Sequence, residues 1–497
     1  MELFVSCSRI NASSSQVFDW HRRDGAFERL NPPWRPFVVK ERKGGIDTGG
    51  YITVRMPIVK HIIGIRWLLK HIDYIEGKQF RDIQISGPFS SWSHTHLFKS
   101  EDAASSSSSS SVLEDRIEYS LPLGILGKLF SQTIINNKLK EIFEYRHRIT
   151  SQDIHIHDNS ARSNNSNSNI IPMTILLTGS TGFIGSALVP FLTVGGYRII
   201  RLLRSQSPQF GNQFGNNTQR SVPWDPISGS LDLSSIEGVD AVVNLAGENI
   251  YGRWTKEKKS RILSSRVQST KFLCKSLASL NKPPKVLVSA SAIGYYGSNN
   301  IGDEILSEDN SPPPADSRDF LSEVCYQWEN ATEIAKQAGI RVVKIRIGVV
   351  LGAAGGMLAK MLLPFKIGLG GKIASGKQWI SWISLDDLLG IILHAINNES
   401  IKGPINAVVP SPVTNADFAN TLAAILSKPA KFNIPSFIVK KVFGELADAA
   451  LLASTRVVTS DILQKTGYQF RFLNLEMALR HTLGKTTIRK IISDKNV

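Results

Sequence analysis

The sequence predicts a doubly wound α/β domain with a parallel sheet, preceded by an α+β domain of different construction. Beyond residue 173, short apolar segments alternate with helical segments, which is typical of a parallel sheet covered on both faces. Before residue 150, strand-like segments follow one another and a long helical segment comes last. A length of 497 residues leaves room for both domains. The predicted parallel strands are 174–178, 198–204, 240–245, 286–291 and 341–347.

The first domain, residues 1–150, is predicted to contain an antiparallel sheet and a long closing helix. In that helix, over about 126–147, Leu139, Ile142 and Phe143 share one face with Ile135, and we expect this face to pack on the sheet. Two short helical stretches precede most of the strands. The predicted strands are 36–42, 51–56, 67–75, 80–86, 91–98 and 112–121.

One of these strands carries two histidines on a single face. Trp92, His94, His96 and Phe98 recur with the period of two that a strand requires. If that face points inward, the two imidazoles could hold a metal ion or a polar ligand group. A His-x-His pair without a third ligand is insufficient for a metal site, so no metal ligand is assigned.

Composition also suggests where the domains end. Ser and Asn dominate the segment 151–172, which predicts a flexible linker, and the serines of 105–111 are interpreted as a loop insertion. Past the parallel sheet the chain is mainly helical, with Thr414 and Asp417 spaced as in a capping box. The remaining predicted boundaries are 173–412 for the parallel-sheet domain, 413–485 for a helical C-terminal extension and 486–497 for a basic tail.

Cysteine usage and hydropathy indicate a cytoplasmic protein. Cys7, Cys274 and Cys325 lie far apart, so neither a disulfide framework nor a cysteine zinc ribbon is available. No apolar run reaches the roughly 18 residues of a membrane span, and the N-terminal residues lack the regions of a signal peptide. We therefore expect no membrane span.

The net charge of +16 raises the question of nucleic-acid binding. Lys and Arg are nevertheless scattered along the chain. The densest group, 256–261, is interrupted by Glu257, as on a solvated helix face. We therefore expect a small-molecule substrate and no nucleic-acid partner.

The clearest chemical signal is Gly179-Ser180-Thr181-Gly182-Phe183-Ile184-Gly185, which follows the first parallel strand and opens a helix. Gly179 permits a tight turn, Gly182 lets the backbone approach a pyrophosphate, and Gly185 allows the helix to pack closely on the strand. Free amides at the start of the helix would then bind the phosphates. The segment therefore predicts a dinucleotide-binding site.

The end of the second parallel strand indicates which dinucleotide binds. NAD-binding domains usually place an acidic residue there for the ribose 2′-hydroxyl, but this strand ends in Arg201-Leu202-Leu203-Arg204. Arg204 would neutralise a 2′-phosphate, which predicts NADP(H), with a solvated strand end as the alternative. Asn244-Leu245-Ala246-Gly247 would line the far side of the cofactor.

The glycine loop and several further motifs resemble the extended short-chain dehydrogenase/reductases of the sugar-nucleotide epimerase type. Over about residues 175–483 the chain is similar to an atypical epimerase-like branch that has its own C-terminal helical extension. This resemblance implies a Rossmann fold and a nicotinamide cofactor. The motifs are 244–247, 289–297 and Arg346 for the larger family, and Trp224-Asp225-Pro226, Gly247-Glu248-Asn249, Gly252-Arg253-Trp254-Thr255, Gly355-Gly356, 368–371, Ser381-Trp382-Ile383 and 412–415 for the branch.

The catalytic dyad of that family is missing. Standard members pair a Ser or Thr on the fourth strand with Tyr-x-x-x-Lys, whose lysine lowers the pKa of the tyrosine. Ser291 matches the serine, but the helix expected to carry the dyad reads Cys325-Tyr326-Gln327-Trp328-Glu329. Without the lysine ammonium, a tyrosine with a pKa of about 10 is a poor base at neutral pH.

Three interpretations stay open. In the first, the enzyme turns over with Ser291 as hydrogen-bond donor and Tyr295 as the preferred proton carrier. Cys325 and Glu329 are further candidates, although such a cysteine is more often a small buried residue and a helical glutamate is more often exposed and paired. In the second, the protein is a non-catalytic NADP(H) sensor or scaffold. In the third, the cofactor is structural and the other domain performs the function.

Two further positions concern the substrate and the last helices. Arg253 and Trp254 follow the cofactor strand and could meet an anionic substrate, with core packing as the alternative for Trp254. Ser384 is expected to cap a helix together with Asp387. The family pattern commonly has His where this chain has Ser384, so this position is assigned no role in catalysis.

The first domain resembles the START-like (SRPBCC) superfamily, whose helix-grip fold encloses an apolar cavity. The resemblance covers about residues 2–150 and implies a hydrophobic ligand. It rests on Asn31-Pro32-Pro33-Trp34, Gly87-Pro88-Phe89, Trp92-x-His94-x-His96, Asp115-x-Ile117-x-Tyr119 and Phe143-x-Tyr145-Arg146-His147. The whole chain is thus expected to be an NADP(H)-dependent oxidoreductase or epimerase, acting on an unknown carbonyl or hydroxyl substrate and fused to this ligand-binding domain.

Overall fold

The structure is a computed structural model that describes residues 1–59, 63–101, 110–122, 124–163, 172–204, 219–298 and 304–485. The chain forms two compact units. The first contains Met1–Asn159 together with a C-terminal segment that begins at Arg480, and the second is Ser160–Leu479. The predicted basic tail, 486–497, lies outside the described residues, as do most of the serines of 105–111.

The first unit contains a seven-stranded antiparallel sheet in the order β1-β7-β6-β5-β4-β3-β2. The edge strand β1 was absent from the prediction, because its interior face combines apolar residues with serines. The elements are β1 (Glu2–Ile10), α1 (Ser14–Arg22), α2 (Ala26–Arg29), β2 (Val38–Lys43), β3 (Tyr51–Val59), β4 (Ile63–Ile75), β5 (Gln79–Ser86), β6 (Ser91–Ser100), β7 (Ser111–Ser120) and α3 (Gly124–Ser163).

The long helix α3 packs on this sheet through an apolar stripe. Leu139 and Phe143 are buried in one cluster with Trp92 of β6 and Ile117 of β7. Ile135 and Ile142 pack against the same cluster from its margin. The hydrophobic core of the first unit therefore lies between α3 and the sheet.

The linker predicted over 151–172 is wrong for residues 151–163, which continue α3. Asp153 is fully buried and accepts two hydrogen bonds from the guanidinium of Arg29, at 2.6 and 2.9 Å. Ile154 is also buried. These contacts hold the polar sequence in a helix, because tertiary packing overrides a composition typical of linkers. Residues 164–171 lie outside the described part of the chain.

The second unit is built on an eight-stranded sheet in the order β11-β10-β9-β8-β12-β13-β14-β19. All neighbouring strands are parallel except β10 and β11. The elements that build this sheet or connect its strands are β8 (Thr174–Thr178), α4 (Phe183–Val194), β9 (Arg198–Leu203), β10 (Gln219–Asp225), β11 (Ser230–Leu231), β12 (Ala241–Asn244), α5 (Lys256–Ala278), β13 (Val286–Ala292), α6 (Phe320–Asn330), α7 (Glu333–Gln337), β14 (Arg341–Ile347), β15 (Val349–Leu351), α8 (Gly356–Lys366), β16 (Gly371–Ile373), β17 (Trp379–Ile380), β18 (Trp382–Ser384), α9 (Leu385–Asn397) and β19 (Gly403–Ala407).

This sheet confirms the predicted doubly wound architecture. The chain runs outward from β8 to β10 on one side and then returns to β12 on the other. The strand order therefore reverses between β8 and β12, and ligands of such folds bind beyond the carboxyl ends of the strands at this point. Leu176, Val242 and Leu287 of the strands form one core with residues of α5.

The C-terminal region of the second unit is mainly helical, as predicted. Ser384 caps α9 by accepting a hydrogen bond from the amide of Asp387 at 2.9 Å, and Thr414 caps α10 in the same way at 3.1 Å. Within the described ranges, no helix combines the length and the hydropathy that a membrane span requires. The remaining elements are β20 (Val413–Thr414), α10 (Asn415–Ile425), β21 (Phe432–Ile434), α11 (Ser436–Phe443), α12 (Asp461–Lys465) and α13 (Leu475–Leu483).

Candidate functional site

The glycine loop joins β8 to α4 at the point where the strand order reverses. Gly179 has a φ of +69°, and a Cβ there would lie 2.5 Å from the carbonyl oxygen of Leu245. A Cβ on Gly185 would lie 2.2 Å from the carbonyl oxygen of Gly179. Gly182 occupies the N-cap of α4, and no side chain caps that end. The loop therefore leaves the first amides of α4 available for an anion.

Thr178 ties this loop to the end of the neighbouring strand. Its hydroxyl donates to Oδ1 of Asn244 at 2.7 Å and accepts from the amides of Leu245 and Ala246 at 3.1 and 3.2 Å. The side-chain amide of Asn244 also donates to Thr270. The fully buried side chain of Asn244 thus holds the strand ends in place, and the lining of the cofactor's far side by 244–247 stays a prediction.

Two arginines lie near the end of β9, and a cofactor contact was predicted only for Arg204. Arg204 is exposed immediately after the strand. Arg201 is buried, its pKa is lowered by that burial, and its Nε donates to the hydroxyl of Ser180 at 3.1 Å. Arg201 therefore holds Ser180 of the glycine loop in position. The sequence offered one signal for this role, namely a second arginine three residues before Arg204.

Helix α5 adds further positive charge beside the segment that follows β12. Glu248 accepts a hydrogen bond from Lys258 at 2.7 Å, which with the charges of Arg261 and Arg204 lowers the pKa of Glu248. A Cβ on Gly247 would lie 3.0 Å from the guanidinium carbon of Arg266. Gly247 thus makes room for a cation beside the loop.

Phe183 and the remaining loop residues differ in exposure. The ring of Phe183 lies 2.4 Å from where a Cβ on Gly352 or on Gly355 would be, so it packs against that glycine-containing segment. Thr181 is exposed, and Ile184 is half-buried. The absence of side chains at Gly352 and Gly355 makes room for the ring of Phe183.

Ser291 is the first member of a buried polar network. Its hydroxyl donates to Oε1 of Glu329 at 2.7 Å. Arg346 binds both oxygens of the same carboxylate, at 2.9 and 3.1 Å, and donates to the hydroxyl of Tyr296 at 2.9 Å. The hydroxyl of Tyr296 donates in turn to Asn406 at 2.8 Å. All five side chains are buried.

Strand register explains why these residues meet. Ser291 of β13 lies opposite Arg346 of β14, which lies opposite Asn406 of β19. Residues in one row of a parallel sheet project to the same side. Glu329, near the end of α6, supplies the carboxylate above this row. Its buried, ion-paired side chain corrects the expectation of an exposed glutamate.

The two tyrosines of the turn after β13 have different environments. Tyr296 is buried, which raises its pKa to about 12. Tyr295 is half-buried, and the guanidinium carbon of Arg346 lies 3.5 Å from its ring centre. Burial raises the pKa of Tyr295 as well, although the charge of Arg346 opposes that shift. Tyr295 is thus the more accessible of the two phenols.

Cys325 is unsuited to act as a nucleophile. Its side chain is buried, and burial together with the charge of Glu329 raises the pKa of the thiol to about 12. A thiol with this pKa remains protonated at neutral pH. This agrees with the interpretation of Cys325 as a small buried residue.

Of the two predicted substrate residues, one belongs to the core. Trp254 is buried with Ile262 and Val324, and its indole donates to the carbonyl oxygen of Ile250 at 2.7 Å. Core packing, the alternative interpretation, therefore describes Trp254. Arg253 is exposed and remains a candidate contact for an anionic substrate.

Comparison with known proteins identifies the family. A model of the NAD dependent epimerase/dehydratase family matches residues 175–408. An epimerase family protein of Mycobacterium bovis is 38% identical over 306 residues, which are 61% of this chain and 96% of that protein. The chain belongs to this epimerase family. The human epimerase family protein SDR39U1 is 36% identical over 315 residues, covering 63% of this chain and 100% of that protein.

Solved structures extend the comparison to both units. A nucleoside-diphosphate sugar epimerase from Corynebacterium glutamicum matches with a TM-score of 0.76 and 30% identity, over 99% of this chain and 92% of that chain. Human SDR39U1, solved with NADPH, matches with a TM-score of 0.55 and 35% identity, over 63% of this chain and 100% of that chain. A domain of unknown function matches residues 434–482, the last part of the epimerase-like region.

Proposed function

We propose that the second unit binds NADP(H) and that this member of the epimerase family is an oxidoreductase or epimerase of a small carbonyl or hydroxyl compound. The observation that carries the cofactor assignment is the start of α4, where Gly182 leaves the helix without a side-chain cap. Backbone amides in that position bind phosphate oxygens. The solved human relative with NADPH supports the same cofactor.

The residues around the loop fit the parts of such a cofactor. The amides of 183–185 would bind the diphosphate, since the amide of Gly182 already donates to the carbonyl oxygen of Gly179. Gly179 and Gly185 allow the close packing described above. Arg204 would neutralise a 2′-phosphate, and Arg201 would hold Ser180 in position. When bound, the nicotinamide supplies or accepts a hydride.

Tyr295 is proposed as the proton donor. Its raised pKa keeps the phenol protonated at neutral pH, so that it can donate to a carbonyl oxygen that gains negative charge during reduction. Ser291 directs its hydrogen to Glu329 and therefore offers a lone pair to the substrate. The predicted donor role is thus replaced by the proposal that Ser291 accepts a hydrogen bond from a substrate hydroxyl.

The roles of Tyr295 and Ser291 are tested by NADPH oxidation with a panel of nucleoside-diphosphate sugars and simple carbonyl compounds. The first class is chosen because the Corynebacterium relative is a nucleoside-diphosphate sugar epimerase, and Arg253 would contact the phosphates of such a substrate. Tyr295→Phe should lower kcat about 10²–10⁴-fold without weakening NADPH binding, and Ser291→Ala should also lower turnover. Tyr326→Phe is a matched control, because an arginine also lies over that ring, 3.7 Å from its centre. Unchanged turnover in the Tyr295 or Ser291 variant would reject the role assigned to that residue.

The cofactor preference is tested on a single strand. Arg204→Ala should weaken NADPH binding much more than NADH binding, whereas Arg198→Ala, at the opposite end of β9, should affect neither. Both side chains are exposed, so neither variant disturbs the core. Equal losses for the two cofactors would refute the 2′-phosphate role.

A non-catalytic NADP(H) sensor or scaffold is the second candidate function. It is favoured by the buried Glu329–Arg346 pair, since Glu329 lies in the helix expected to carry the missing dyad and already accepts a hydrogen bond from the hydroxyl of Ser291. NADPH binding without turnover of any compound in the panel is the expected result for this candidate. Substrate-dependent turnover would exclude it.

For the first unit we propose a START-like, helix-grip domain that binds a hydrophobic small molecule. The supporting observation is the aromatic face between the sheet and α3, where the indole nitrogens of Trp67 and Trp92 are buried without a hydrogen-bond partner among the described residues. A ligand with an apolar body and a polar head would satisfy them. A medium-chain fatty acid should change the tryptophan fluorescence of the intact chain. Replacing Trp67 and Trp92 with Phe should abolish that change, whereas the control Trp224→Phe, in the second unit, should keep it. Absence of any response in the intact chain would contradict the proposal.

A further inference from the structure

The first unit buries a cluster of histidines and aspartates that strand register assembles. Asp82 of β5 lies opposite His94 of β6, and Asp115 of β7 lies opposite His96 of β6. All four side chains are at least nine-tenths buried. From α3, Nε2 of His147 contacts Oδ2 of Asp115 at 2.5 Å. The cluster lies outside the cofactor-binding unit.

The distances around Asp82 fit a shared ion better than direct hydrogen bonds. Oδ1 of Asp82 is 3.4 Å from Nδ1 of His94 and 3.6 Å from Nε2 of His96. Hydrogen bonds of this type usually measure about 2.7–3.2 Å. Ligand atoms about 2.1 Å from a tetrahedral ion lie about 3.4 Å from one another. One donor atom from each of Asp82, His94 and His96 lies within 4.8 Å of the other two.

A second carboxylate fixes the orientation of one ring. His94 contacts Oδ1 of Asp115 through Nε2 at 2.8 Å, and if Nε2 carries the hydrogen, Nδ1 faces Asp82 with its lone pair. A metal-binding histidine typically donates its other ring hydrogen to a carboxylate in this way. Asp115 is itself held by His147, whose Nδ1 lies 2.9 Å from the hydroxyl oxygen of Ser8.

His96 is oriented by the same carboxylate. Its Nδ1 lies 2.6 Å from Oδ1 of Asp115, which leaves Nε2 as the nitrogen on the side of Asp82. Phe80 stacks on the His96 ring at 4.2 Å, and Phe143 packs edge-on against His94 at 5.3 Å. Carboxylates in such an apolar enclosure require a compensating cation, either protons on the rings or a metal ion.

We propose that Asp82, His94 and His96 bind a divalent transition-metal ion in the first unit, with Asp115 as a positioning residue. Two imidazole nitrogens and one carboxylate oxygen suit Zn²⁺, and three protein ligands leave one coordination position for water or for a ligand of this unit. The site is independent of the dinucleotide site.

The test uses the full chain, stripped of metal by a chelator and then dialysed against Zn²⁺. The wild type should retain one tightly bound Zn²⁺ per chain, and Asp82→Asn and His96→Gln should lose it. His155→Gln, on the exposed side of α3, is the matched control and should retain the ion. Asp115→Asn should weaken Zn²⁺ binding about 10–100-fold, as expected for a residue behind a ligand.

Two further measurements keep the proposal testable if a variant folds poorly. Added Zn²⁺ should raise the thermal unfolding temperature of the wild type, and Co²⁺ in its place should give the visible absorption of a site with nitrogen and oxygen ligands. A stripped wild type that binds no Zn²⁺ beyond the His96→Gln level, with no shift in unfolding, would overturn the proposal and assign the cluster to proton compensation. NADPH binding should be the same in all variants, which separates this result from a failure of the proposed function.

Discussion

Each unit buries a network of charged side chains on one face of its sheet, but the two networks contain different cations. In the second unit, the guanidinium of Arg346 binds both oxygens of Glu329. In the first unit, the carboxylates of Asp82 and Asp115 face imidazoles instead.

The difference lies in whether the cation can be exchanged. An arginine keeps its charge at any pH relevant to proteins, so the pair of Glu329 and Arg346 is complete without a further ion. A histidine is charged only when protonated, and a neutral ring offers a lone pair to a metal. Burial of charge alone therefore does not identify a ligand site, because the cation must also be one that a bound ion can replace.

Removing one partner of the pair in the second unit should have the largest effect. Glu329→Ala would leave Arg346 buried without a carboxylate, and we expect the free energy of unfolding to fall by about 3–5 kcal/mol. Urea unfolding followed by circular dichroism measures this loss. The same variant frees the hydroxyl of Ser291, so NADPH oxidation with an identified substrate should also change.

Glu333→Ala is the control for that variant. Glu333 is 38% exposed and contacts Lys344 at 3.0 Å, so its loss should cost no more than about 1 kcal/mol. Equal losses of unfolding free energy in the two variants would contradict the view that burial makes the Glu329–Arg346 pair the more important of the two.

Unlike the two charged networks, the glycine loop depends on its backbone conformation. Gly179→Ala tests this dependence. The left-handed backbone at Gly179 should cost about 1–2 kcal/mol once a Cβ is present. The Cβ would also collide with Leu245, so NADPH affinity should fall in a fluorescence titration. Gly238→Ala has a similar φ of +73° with nothing within 4 Å of its Cβ, and it should keep wild-type affinity. Unaltered affinity in Gly179→Ala would contradict the assigned role of the loop.

Removing a helix cap should have the smallest effect on stability. A cap in each unit allows the stability of the two units to be measured separately. Ser13 caps α1 in the first unit, and Thr414 caps α10 in the second. Ser13→Ala and Thr414→Ala should each cost about 1 kcal/mol, and only in the unit that contains the cap. Thermal unfolding with and without NADPH identifies the second unit, because the ligand stabilises only the unit that binds it. A shift of both transitions in either variant would show that the units unfold together.

Features whose signals are local were predictable. The glycine loop, the alternating parallel strands and the caps at Ser384 and Thr414 each depend on residues a few positions apart, and the structure contains all of them. The predictions failed where distant residues decide the outcome. The helical course of 151–163 depends on Arg29, far away in sequence, and the buried state of Glu329 depends on Arg346.

The strand that carries His94 and His96 shows which part of a site the sequence can predict and which part it cannot. Alternation along 91–98 was enough to place His94 and His96 on one face. The pairing of β5 with β6 brought Asp82 to them, and the pairing of β6 with β7 brought Asp115. A strand's own residues set its period, but its register depends on turns, bulges and core packing of the whole sheet. For that reason the glycine loop and the chemistry it indicates can be deduced from the chain alone, while the partners of its buried charges emerge only in the folded protein.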